Sequence, residues 1–147
     1  MKVRDVMEGD VKTCKLDDNL ELVAMMMWHS DCGSIPVLDQ SGTPIGIVTD
    51  RDIAMSCALN HKPLWELRAR DVTNNRPLYT CHENDDMSFA LETMRTYRIR
   101  RLPVVDKAGH LRGLISIDDI VAASEEKVPG MSFRDTMSTL KAVFIHH

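Results

Sequence analysis

GIVTDRDI at residues 46–53 returns as GLISIDDI at residues 113–120, 67 positions further along the chain. Each copy is a short apolar run that ends on a hydroxyl residue, Thr49 or Ser116, with an aspartate three places later, Asp52 or Asp119. A short apolar run reads as a strand, and a hydroxyl followed three residues on by a carboxylate reads as the start of a helix. The stretch is therefore a strand-to-helix junction written twice.

Sliding the second half back by 67 aligns far more than this junction. Thr13-Cys14 falls on Thr80-Cys81, Asp18 on Asp85, Met27 on Met94, Pro36-Val37 on Pro103-Val104, Asp39 on Asp106 and Gly42 on Gly109. In all there are 11 identities over positions 13–53, where chance would supply about two or three. Upstream the offset becomes 66, because Arg4-Asp5-Val6 matches Arg70-Asp71-Val72; one residue was gained between Val72 and Thr80.

Each half carries the same order of signals. Asp17-Asp18-Asn19 offers capping residues before Leu20, Val23, Ala24 and Met27 at helical spacing, and Asp85-Asp86 precedes Phe89, Ala90 and Met94. IPVLD (35–39) and LPVVD (102–106) then pair with IGIV and LRGLI across glycine-containing turns, as hairpins. A second helix follows Thr49 or Ser116. The predicted unit is strand, helix, strand, strand, helix, an α/β fold of two repeats related by a pseudo-twofold axis.

A repeat of about 55 residues buries little apolar surface alone, so the two are expected to close one core together. The predicted boundaries are repeat 1 at 1–60, a linker at 61–71, repeat 2 at 72–125 and a tail at 126–147. Leu64, Trp65 and Leu67 are expected to lie against the shared core or a partner. After Pro129-Gly130, a C-terminal helix starting near Ser132 presents Phe133, Met137, Leu140 and Phe144 as an apolar stripe, to be buried on its own chain or on a second subunit. His146 and His147 carry no weight in this reading.

Composition bounds the function. At 147 residues, 44% apolar and 27% charged, the chain reads as a globular protein with a core that needs neither disulfide nor metal. The longest apolar run, LVAMMMW at 22–28, is too short for a membrane span, and no apolar signal segment follows Met1, so the expected location is the cytoplasm. A net charge of −4 disfavours nucleic acid as a partner. Cys14, Cys32, Cys57 and Cys81 lack metal-site spacing; His29 with Cys32 is only half a metal site, and Met25-Met26-Met27 suits core filling. No Ser/His/Asp set, P-loop or catalytic acid pair is present, so no enzyme activity is expected.

Two copies of I/L-P-V-h-D followed by G-h-h-T/S-x-x-D, each preceded by R-D-V, resemble a tandem pair of cystathionine-β-synthase (CBS) domains, a Bateman module, over roughly residues 1–125. The resemblance implies a non-catalytic regulatory module, commonly a homodimer, that binds adenosine nucleotides such as AMP, ADP or ATP in clefts between its repeats; no cofactor is required. It assigns one site to Ser116, Asp119, Arg100 and Arg101, with adenine near Val11, Lys12, Cys32, Ser34 and Ile35. It assigns a weaker one to Thr49 and Asp52 with Leu78, Tyr79, Thr80 and Ile99, and Arg51 toward phosphate.

The residues themselves admit two roles for each aspartate. As helix N3 residues Asp52 and Asp119 complete a capping box, and as carboxylates they can accept hydrogen bonds from ribose hydroxyls. Arg98, Arg100 and Arg101 stand just before the second repeat's strand, where the first has Asp31, Gly33 and Ser34, so phosphate recognition is expected on Asp119's side. The alternative is a dimeric adaptor whose T-x-x-D motifs only cap helices.

Overall fold

The computed structural model describes residues 1–125 and 133–144. Pro129, Gly130, Ser132, His146, His147 and the Phe133 side chain lie outside the described residues.

One compact unit spans Val11–Leu78. It runs β1 (Cys14–Lys15), α1 (Leu20–Ser30), β2 (Ser34–Leu38), β3 (Pro44–Thr49) and α2 (Asp50–Asn60), then a 3-10 turn (Leu64–Glu66) and α3 (Ala69–Thr73). In the sheet, β2 pairs parallel with β1 and antiparallel with β3, placing Val37 opposite Gly46 and Ser34 opposite Thr49. Asn19 Oδ1 accepts the Leu22 amide at 2.8 Å and starts α1; Asp31, left-handed at φ 50°, ends it. Leu20, Val23, Ile35, Val37 and Val48 are fully buried.

The other unit joins Met1–Asp10 to the chain from Tyr79 onward. It repeats the pattern with β4 (Cys81–His82), α4 (Met87–Tyr97), β5 (Arg101–Val105), β6 (Leu111–Ser116) and α5 (Ile117–Glu125), and adds α6 (Phe133–Phe144). Its sheet has the same parallel-then-antiparallel order, with Val104 opposite Gly113 and Arg101 opposite Ser116. Both hairpin turns use one device. Asp39 Oδ1 accepts the Ser41 and Thr43 amides, Asp106 Oδ1 accepts those of Ala108 and His110, and Gly42 and Gly109 take φ near 85°, which a side chain would strain.

The strand, helix, strand, strand, helix order is as expected, but the compact units are cut differently from the sequence repeats. Val3, fully buried, belongs to the core of the unit that holds Met87, Met94, Leu102 and Ile115. The Glu8 and Leu114 backbones exchange two hydrogen bonds at 2.9 Å, and Gly113 makes room for the crossing. In the first unit α3, which opens the second repeat's sequence, packs on β3, with Thr73 over Gly46. The R-D-V segment of each repeat thus packs within the compact unit that holds the other repeat's sheet.

Each unit buries its own apolar cluster, so the single shared core expected from the sequence is two. Leu67 is buried in the first and Leu64 packs at its edge, whereas Trp65 is 64% exposed. On α4 the buried face is Met87, Ala90, Leu91 and Met94; Phe89, expected inside, is half exposed because it lies nearly opposite the centre of that face. The C-terminal helix docks on its own unit, against α4 and α5, and of the predicted stripe Leu140 packs on the core. Thr136, Thr139 and Val143 are buried, while Met137 and Phe144 remain about half exposed. Threonine serves here because a helical hydroxyl can satisfy itself on the preceding turn, as Thr139 Oγ1 does on the Asp135 carbonyl at 2.9 Å.

Candidate functional site

The two junctions fold alike. At the first, the Asp50 amide donates to the Gly33 carbonyl at 3.0 Å, which ties the start of α2 to the residue before β2. The Thr49 hydroxyl accepts the Asp52 amide at 3.1 Å, and Asp52 Oδ2 accepts the Thr49 amide at 2.9 Å. At the second, the Ile117 amide donates to the Arg100 carbonyl at 2.8 Å. Ser116 Oγ accepts the Asp119 amide at 3.2 Å, and Asp119 Oδ2 accepts both the Ser116 amide and the Ser116 hydroxyl at 2.8 Å. Both capping boxes are complete, each contributing about 1 kcal/mol to its helix start.

The carboxylates differ in what else they hold. Among the described residues, nothing donates to Asp119 Oδ1, and no cation pairs with the group. Asp52, only 13% exposed in its side chain, accepts a further bond from Arg76 Nη1 at 2.9 Å. Sequence reasoning did not single out Arg76; its one visible signal is that it lies between Val72 and Thr80, where the second repeat gained its extra residue.

Arg101 faces Ser116 across the β5–β6 ladder, so its strand position adjoins the Asp119 junction. Arg100 is exposed, with its guanidinium carbon 4.4 Å from the centre of the Phe144 ring, a cation–π contact with α6. Arg98 is the left-handed residue that ends α4. In the same unit Tyr79 stacks on Tyr97 with ring centres 3.7 Å apart, Thr80 is half-buried, and Ile99 packs at the edge of the core. The remaining expected residues belong to the other unit. Val11 and Leu78 are half-buried, Lys12, Cys32 and Arg51 are exposed, and Ser34 is nearly buried. Ile35 is fully buried in the cluster that holds Val37 and Val48.

Cys14 and Cys81 occupy equivalent positions on β1 and β4, each in its own core. Burial, with smaller contributions from Asp18 and Asp85 respectively, pushes both thiols up to about 12. Among the described residues no three His, Cys, Asp or Glu side chains are grouped to hold a metal ion, and no helix is long and apolar enough to cross a membrane.

Comparison with known proteins decides the family. The CBS domain model matches twice, over residues 3–58 and 69–126. The chain belongs to the CBS-domain family. This CBS pair is 32% identical over 120 residues to the uncharacterized protein YlbB of Bacillus subtilis, covering 81% of this chain and 79% of YlbB. It is 32% identical over 119 residues to inosine-5'-monophosphate dehydrogenase of Mycobacterium tuberculosis, which is 81% of this chain but 21% of that enzyme. Among solved structures it resembles the CBS domain pair of protein MJ0100 in complex with 5'-methylthioadenosine and S-adenosyl-L-methionine, with a TM-score of 0.73 and 25% identity over 87% of this chain and 98% of that one. That match covers a CBS pair alone, whereas the dehydrogenase match leaves most of the enzyme uncovered.

Proposed function

We propose that this CBS pair is a non-catalytic, cytoplasmic sensor that binds an adenosine nucleotide, AMP, ADP or ATP, as a regulatory ligand and needs no cofactor. The observation that carries the reading is the Asp119 carboxylate. Its Oδ2 is fixed by Ser116, its Oδ1 accepts nothing among the described residues, and Arg101 stands on the adjoining strand. A carboxylate held in this way can take both hydroxyls of a ribose, and a nearby arginine offers a charged fork to phosphate oxygens. Arg100 joins it by leaving the Phe144 ring, an exchange that links occupancy to α6. The adenosine ligands named for the MJ0100 pair support the ligand class.

Thermal denaturation of ligand-stripped protein with adenosine, AMP, ADP and ATP tests the reading. Binding to the folded state alone raises the midpoint as saturation increases. No shift with any of the four would reject it in favour of the adaptor reading, which the completed capping boxes also satisfy.

The sensor is proposed to act as a homodimer. A groove of about 440 Å³ on the first unit is lined by Ala24, Met27, Trp28 and Ile53, with Asp31 and Asp50 at its rim. Its counterparts in the second repeat, Leu91, Met94 and Ile120, are buried in the unit that α6 covers. The outer side of α6 carries Met137 and Phe144 beside Arg134 and Lys141, an apolar and basic surface that complements the acidic rim. The occupant proposed for the groove is α6 of a second copy.

A further inference from the structure

We infer that Arg76 sets the ligand class of the first-repeat site, selecting an anionic nucleotide over a neutral nucleoside. The inference rests on the adenosine reading and adds a residue and a selectivity to it. Position by position, the first repeat has no arginine before its β2 strand: Asp31, Gly33 and Ser34 stand where the second has Arg98, Arg100 and Arg101. In the fold a cation arrives from another element. Arg76, in the loop after α3, places Nη1 2.9 Å from Asp52 Oδ2.

This loop is where the repeats differ in length, and the residues at the matching place in the other repeat, Glu8, Gly9 and Asp10, include no basic side chain. The left-handed Asn75, φ 60°, turns the backbone immediately before Arg76. Each repeat thus has an arginine from a different source at its T/S-x-x-D junction: strand β5 adjoining Asp119, without an ion pair, and the α3 loop paired to Asp52.

The pairing has a chemical consequence. Asp52 Oδ2 already serves the Thr49 amide and Arg76, while Oδ1 accepts nothing among the described residues, so a ribose diol that spans both oxygens of this carboxylate must displace the guanidinium. A neutral nucleoside leaves that guanidinium without its partner. A nucleotide offers phosphate oxygens, to which a planar guanidinium bonds in bidentate fashion, and so replaces the interaction it breaks. Arg76 is half exposed and can swing between the two acceptors, whereas Asp52 is held by its cap.

Calorimetric titration of Asp119→Ala protein with adenosine and with AMP isolates the first-repeat site; Asp119→Asn, which keeps one cap acceptor, serves if the alanine variant melts without cooperativity. The expected result is AMP binding at least tenfold tighter than adenosine. Adding Arg76→Ala should weaken AMP, strengthen adenosine and reduce the ratio to within about twofold, and Arg76→Lys should give an intermediate ratio. An unchanged ratio in Arg76→Ala overturns the role of Arg76 while leaving the adenosine reading intact. Binding in the wild type but none in the Asp119 variants overturns the first-repeat site alone. No binding of either compound to the wild type overturns both.

Discussion

Gly113 lies under the Glu8 backbone so closely that a Cβ added at position 113 would stand 2.4 Å from the Glu8 carbonyl oxygen. Glu8 and Leu114 hold each other by two backbone hydrogen bonds, so neither strand can retreat without losing them. Gly113→Ala should therefore destabilise the protein by about 1–3 kcal/mol, the usual range for overpacking a buried position. Gly46→Ala should cost less, because its added carbon meets the Thr73 side chain at 2.9 Å rather than a backbone oxygen. Urea denaturation of the two variants checks the order, and a larger loss at Gly46 would contradict it.

Val3 tests the exchange of N-terminal segments. It is fully buried in the cluster of Met87, Leu102 and Ile115, so Val3→Ala should destabilise by on the order of 2 kcal/mol. Hydrogen exchange locates the loss: amides of β5 and β6 should exchange faster, and those of β2 and β3 should change least. Loss of protection confined to β2 and β3 would mean that Met1–Asp10 completes the first repeat instead.

The cysteines give a pH dependence. Cys14 and Cys81 titrate near 12 in the fold, above their ordinary value of about 9, so folding favours the protonated thiols. Their contribution to stability is full below pH about 9 and is lost as pH rises from there toward 12. Thiol labelling at pH 8 should proceed first at exposed Cys32 and then at half-buried Cys57, with Cys14 and Cys81 labelled only on unfolding. Rapid labelling of either core thiol would place it outside the cluster described for it.

Self-association should depend on the α1–α2 groove. Trp28 is 80% exposed at its edge, and Trp28→Glu adds negative charge beside Asp31 and Asp50. The variant should sediment as a monomer with the wild-type fold, as should Lys141→Glu on the opposing surface. Dimers that persist in both variants would place the interface elsewhere.

The duplicated strand-to-helix junction made the element order legible, because hydrophobic period and capping chemistry are local. What escaped were relations made by the fold. R-D-V aligns with its own repeat by descent, yet it packs with the other, and sequence identity carries no information about that exchange. The α6 stripe held at Leu140 but missed on side-chain chemistry elsewhere: Thr136 and Thr139 are buried, and Met137 is not. Arg76 stands 24 positions from Asp52 in a loop without periodicity, so nothing local links them. Thr49, Asp52, Ser116 and Asp119, by contrast, were readable in full as caps, because both partners of each box lie three residues apart.

The most direct test of the sensor reading is the affinity of ligand-stripped protein for AMP by calorimetry, with and without Asp119→Ala. Loss of a carboxylate that accepts a ribose hydrogen bond to a charged group should weaken the Asp119 site by roughly tenfold or more, since such bonds contribute about 1.5–3 kcal/mol. Circular dichroism should show the same helix content in both proteins, with only the modest drop in midpoint that a lost cap entails. AMP binding with equal affinity and stoichiometry in the two proteins would contradict the account and leave Asp119 as a helix cap alone.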